Sequence, residues 1–229
     1  MAIARNTSGG GNSGVASGTS ITIALTIANN ANRVLYVGIA SASNADQTPT
    51  VTWNTTESLT QVSGAEIQGS TGNWLEVWYL VNPTATSANL SITGLSASTR
   101  EAAYAVCWDG VDQSTPNDAV DLVQHAATST TISSSTITSP SGDWIASFFG
   151  GEGSSALSAT GGGNTMIAEN NNGNIVRAAA GEDADGVDDT FDWSAAGSNS
   201  HMSLITFNLN AASTSGSSPG RLLTMLGVG

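Results

Sequence analysis

Lysine is absent from this chain of 229 residues, and apart from two histidines the basic side chains are Arg5, Arg33, Arg100, Arg177 and Arg221. Against them stand 18 carboxylates, for a net charge of −13 and an isoelectric point near 4.1. Nucleic-acid affinity rests mainly on cationic contacts to phosphate, so this balance excludes DNA and RNA as expected partners. It speaks equally against an anionic membrane surface. A single cysteine, Cys107, removes any intrachain disulfide and any cysteine-built zinc site, and its apolar setting in Tyr104–Trp108 reads as a buried, inert thiol. No apolar run reaches the roughly 18 residues a spanning helix needs. Met1–Gly9 contains no apolar stretch of the signal-peptide kind, so no secretory leader is expected there.

What is present is small, polar and neutral. Charged residues make up only 10% of the chain while hydrophobic ones make up 39%, enough for a continuous core. A surface covered by Ser, Thr, Asn, Gly and Ala suits a protein that works outside a cell or on a particle exterior.

Residues 1–18, with Gly9–Gly11 and flanking Ser and Asn, read as a flexible N-terminal arm. Alternation then begins: Ile21, Ile23, Leu25 and Ile27 are spaced by two, the mark of a half-buried strand. Denser β-branched and aromatic runs follow at 33–40, 73–81, 102–108, 143–149 and 203–209, broken by Asn82-Pro83, Asp109-Gly110 and similar turn clusters. Ten or more short strands and no sustained helical period predict an all-β protein: one antiparallel, jelly-roll-like sandwich over residues 19–210. No internal repeat at a fixed period stands out. Residues 211–220 read as a linker to an apolar C-terminal peptide, in which Arg221, Leu222, Leu223, Met225 and Leu226 are candidate docking residues. That peptide either folds back on its own domain or docks into a neighbour.

Chemistry is sparse. Glu76 stands alone on its strand between Trp74 and Trp78, and Glu101 has no acidic partner two or four residues away, so no glycosidase-like carboxylate pair is evident. No catalytic residue, metal site or cofactor is expected. The acidic segment 182–192 holds oxygen ligands that would suit Ca²⁺, but the spacing departs from an EF-hand, and a solvated loop accounts for it equally. Trp74 and Trp78, four apart on one strand, lie on one face and are candidates for stacking on a sugar, against the simpler reading as core.

Val34–Gly38, Val51–Asn54 with Leu59–Val62, Trp78–Pro83 and Gly110–Pro116 together resemble a recurrent β-sandwich domain of phage virion proteins and bacterial surface or secreted proteins. With its glycine-rich arm and apolar tail, the chain is similar to capsid decoration (cement) proteins of tailed phages. The resemblance implies a non-enzymatic protein of the virion's outer surface, made in the host cytoplasm. It implies a partner in the major capsid or another virion protein, and a homo-oligomer, commonly a trimer. The alternative is a carbohydrate-binding sandwich module of a tail, fibre or bacterial surface.

Overall fold

The computed structural model describes residues 2–12, 19–43, 46–68, 73–96, 100–153, 155–173, 176–184 and 189–213. All regular structure among them is β. Where one face is solvated, the chain alternates, as in β2 (Ser20–Thr26), whose even positions are exposed and odd positions buried. Where both faces are covered, it does not: every residue of β3 (Val34–Ser41), β9 (Glu101–Asp109) and β15 (Val176–Asp183) is buried. That difference distinguishes outer from inner sheets.

The first half builds one sandwich. Its inner sheet has the order β1 (Ala4–Asn12), β9, β3, β7 (Trp74–Val81), β6 (Thr60–Gln68). Its outer sheet has the order β2, β8 (Ser87–Thr93), β4 (Thr50–Trp53), β5 (Glu57–Ser58). This is jelly-roll order, with one modification: the chain pairs with β4 as β5, then crosses to the inner sheet as β6. The second half repeats the plan. Its inner sheet runs β10 (Asn117–His125), β17 (His201–Leu209), β12 (Trp144–Glu152), β15, β14 (Asn164–Asn172). Its outer sheet runs β11 (Ser129–Ser133), β16 (Asp192–Asn199), β13 (Leu157–Thr160). Leaving out the two-residue β5, each strand of one half has a counterpart at the same place in the other.

The expected single sandwich over 19–210 is therefore two sandwiches joined at Gly110–Pro116, and the repeat that the sequence hides is a repeat of topology. The two inner sheets pack face to face, giving four layers. Contacts across this central interface obey an approximate two-fold axis: β3 lies on its counterpart β12, β1 on β14 as β10 on β6, and β9 on β15 as β17 on β7. The interface core holds Tyr36 and Trp108 from the first half against Phe148 and Phe207 from the second. Tyr36 and Phe207 have ring centroids 5.2 Å apart, and Trp108 meets Phe148 edge-on at 6.4 Å. Burying each such ring contributes on the order of 1.5–3 kcal/mol. Polar ties cross as well: Tyr36 Oη bonds Asn117 Oδ1 at 3.1 Å, and Trp108 Nε1 donates to Glu182 Oε2 at 2.8 Å.

Shape at the axis is complementary rather than symmetric. Gly38, between Val77 and Tyr104 in its sheet, corresponds to Phe148, between Ala180 and Ile205 in the other. Phe148 lies directly on Gly38, where a Cβ would come within 2.5 Å of its ring. The glycine is required by close approach of a large partner.

The same reasoning corrects the arm. Ala4–Asn12 is an edge strand, pressed between the outer sheet and β14, and its three glycines are there because nothing larger fits. A Cβ on Gly11 would sit 2.7 Å from Ile21, and one on Gly10 would sit 2.8 Å from Asn170. Asn170 Nδ2 donates to the Gly11 carbonyl at 2.5 Å, fastening the strand to the second sandwich. Composition alone made this segment look flexible; packing makes it ordered.

Gly38→Val is expected to destabilise by about 1–3 kcal/mol through overpacking against Phe148. Combining it with Phe148→Leu should cost less than the sum of the single changes, read from denaturant midpoints in a double-mutant cycle.

Candidate functional site

The strongest strand of the sequence, β7, also places its most unusual side chain. Leu75 and Val77 face the central interface, so Trp74, Glu76 and Trp78 face the core of the first sandwich. Glu76 is 1% exposed. Across the β6–β7 pair its register partner is Glu66, so two carboxyls stand side by side on adjacent strands. Gln61 Nε2 donates to both, to Glu66 Oε2 at 3.3 Å and to Glu76 Oε2 at 3.1 Å. Trp74 Nε1 donates to Glu66 Oε1 at 3.2 Å. Glu76 Oε1 is buried with no hydrogen-bond partner.

Electrostatics follow from that placement. Burial pushes the Glu76 pKa up to about 8, with the Glu66 and Asp46 carboxylates adding to the rise and Trp78 and Gln61 offsetting part of it. Glu76 is therefore a neutral carboxylic acid at pH 7. A raised carboxyl beside a second one is the arrangement of a general acid, but acid catalysis needs reach to a substrate atom, and a side chain this enclosed offers none in this conformation. Sequence reading treated Glu76 as solitary because its partner lies ten residues earlier, across a hairpin.

The sugar-stacking candidates separate. Trp74 is fully buried and bonded through its indole, so it has no face for a glycan; Trp78 is half-buried. Trp53, Trp108 and Trp193 are core. Cys107 is likewise fully buried, with its pKa raised by burial. The acidic segment divides among separate duties. Glu182 pairs with Arg5 at 3.3 Å and receives Trp108, while Asp183 is buried at the end of β15. Asp189 bridges to Ile137 through its backbone, and Asp185 and Asp188 lie outside the described residues. Among the described residues no three His, Cys, Asp or Glu side chains are grouped to hold a metal ion. Arg221, Leu222, Leu223, Met225 and Leu226 also lie outside the described residues.

Two further features belong to the surface. An open groove of about 430 Å³ runs over the outer sheet between Thr7, Ala24, Thr26, Ser87 and Asn89, lined by hydroxyls, an amide and methyls. His201 Nδ1 lies 2.8 Å from Glu152 Oε2 at the far end of the second sandwich.

No protein-family model matches the chain, and no curated protein matches it. A chain from the atomic structure of Sulfolobus turreted icosahedral virus aligns over 91% of both molecules, at 12% identity and a TM-score of 0.29. A superposition that loose carries no weight for fold or for function.

Glu76 sets a pH dependence whose sign is fixed. Unfolded, it loses its proton near pH 4.5; folded, near 8. Between those values the native state holds a proton the unfolded chain does not, so the contribution of Glu76 to stability is greatest below about pH 4.5, falls as pH rises through this window, and levels above it. Glu76→Gln should remove that contribution's slope and raise stability at pH 8 by up to about 4 kcal/mol. Chemical denaturation of both proteins between pH 5 and 9 checks this.

Proposed function

We propose that this protein is a non-enzymatic structural component of a virion exterior, a capsid decoration protein that clamps neighbouring subunits of the shell. The observation carrying the reading is the jelly-roll strand order found in both sandwiches. Ala212 donates its N–H to the Gly110 carbonyl at 2.7 Å, and the Ala2 carbonyl packs on the same glycine, where a Cβ would come within 2.2 Å of it. Ala2 and Ala212 thus meet at the junction of the two sandwiches.

Three features support the reading. Jelly rolls are a recurring architecture of capsid proteins. The strongly negative charge suits a position away from packaged DNA. The raised carboxyl of Glu76 is enclosed within the core, a poor place for catalysis. The expected partner is the major capsid protein or another virion protein, bound after synthesis in the host cytoplasm, and tail docking through Arg221, Leu222, Leu223, Met225 and Leu226 would gain from a tethered, high local concentration. Burial of Trp74 leaves the glycan-binding alternative resting on the half-buried Trp78.

Truncation after Ser213 spares the bonds of Ala211 and Ala212, so the melting temperature should stay unchanged while occupancy on shells falls at least tenfold. Truncated protein that decorates shells as fully as the intact chain contradicts the proposal.

A further inference from the structure

The approximate two-fold axis sets the halves side by side position for position, and at one place they differ in charge. Gly38 and Phe148 are counterparts, and they pair with Val77 and Ala180. Along β7 and β15 from these, Trp74 corresponds to Arg177 and Glu76 to Ala179. Glu66 on β6 pairs with Glu76, and Glu169 on β14 pairs with Ala179, so the two edge-strand acids are counterparts as well. In the second half Glu169 forms an ion pair with Arg177 at 2.7 Å. In the first, the place of the arginine is held by Trp74, whose Nε1 donates to Glu66 Oε1 at 3.2 Å. One edge acid is thus locked by a cation, while the other faces a second acid where its counterpart faces an alanine.

Nothing positive balances this acid pair. Neither Glu66 nor Glu76 forms an ion pair with Arg or His among the described residues. Gln61 Nε2 bonds both carboxyls and holds them together, and Glu66 receives an N–H on each of its oxygens. The proton of the pair accordingly resides on Glu76, held there by burial first and by the Glu66 charge second. The remaining surroundings give no relief. Asp46, ahead of β4, adds negative charge, and from β3 the neighbour of Glu76 is the apolar Ile39. Glu101 of β9 lies two strands away, and Glu57 of the outer sheet is turned to the Thr84 N–H.

The pairing of β6 with β7 is interrupted beside these acids. Its register breaks between Gln61 and Glu66, so Glu66, Ile67 and Gln68 pair with Glu76, Leu75 and Trp74 as a separate unit. Gly64, inside the break, has a φ of 75°, a left-handed conformation that favours glycine. On the β6 side of the unit only Ile67 packs into the central core, whereas Val62 and Ala65 before it keep the strand seated. We infer that the Glu66–Glu76 pair is a proton-operated latch on the β6–β7 hairpin. With the proton in place the Glu66–Gln68 unit holds; when the proton passes to solvent the unit parts from β7, while the matching edge β14 stays closed. Two carboxylates side by side in an enclosed, cation-free setting repel and lack solvation. Moving one short unit relieves them and disturbs less packing than opening the core. This device is independent of the assembly reading.

Hydrogen–deuterium exchange of the intact chain, read by mass spectrometry, tests this. After correction for intrinsic exchange, protection at Glu66–Gln68 should fall about tenfold for each pH unit from about pH 5 to about pH 8. Protection along the matched strand, Asn164–Asn172, should stay level. Glu76→Gln should abolish the fall at β6, and Glu76→Met serves if that variant does not fold. Cys107, buried in the first core, reports on any larger opening: its reaction with a thiol reagent should stay blocked over the same range. Equal loss of protection at both edges, a pH dependence that survives in the variant, or Cys107 reacting in step with β6 overturns the inference.

Discussion

Packing of one inner sheet against the other governs the rest of this structure. Each inner sheet must be apolar on both faces, one toward its own outer sheet and one toward its counterpart, and this is why β3, β9 and β15 are buried throughout. A lone sandwich of either half would leave a face with Tyr36, Leu75 and Trp108, or with Phe148 and Phe207, in water. The apolar area is too large for a stable soluble surface. Complementarity then fixes which halves can pair. Phe148 against Gly38 fills the axis once; two copies of the first half would meet there with a void, and two copies of the second with a clash.

That constraint explains the smaller features. Gly10 and Gly11 let β1 lie flat between the outer sheet and Asn170, so the first strand helps to join the two sandwiches. Arg33, buried without a carboxylate partner in hydrogen bond, is held instead by oxygens of Pro83, Asn30, Asn29 and Asn82. It fastens the loops beside the junction where Ala2 and Ala212 meet Gly110. The Glu66–Glu76 pair lies toward the β6 edge of the inner sheet rather than at the axis, and leaves Glu76 Oε1 without a hydrogen-bond partner.

Much of the fold was legible because strand periodicity is local. Alternation in Ile21–Ile27 and the dense runs at β3, β7, β9, β12 and β17 are where the strands lie. Two things were not legible, for physical reasons. Glycine and asparagine signal looseness by composition, yet Gly9–Gly11 in β1 and Asn170–Asn172 in β14 are strand residues whose small or polar side chains meet close neighbours. The duplication was hidden because large and small residues trade places across the axis, as at Gly38 and Phe148, so equivalent positions share burial without sharing identity. The same limit applied to the candidate site: an acid pair joined across a hairpin depends on register, and the Gln61–Glu66 irregularity shifts that register out of any fixed spacing.

Differential scanning calorimetry of the intact chain tests the central claim most directly. If the face-to-face interface makes the two sandwiches one cooperative body, a single transition should appear, with calorimetric and van't Hoff enthalpies equal. Two resolved transitions, one for each sandwich, would show that the halves stand independently and would contradict the account.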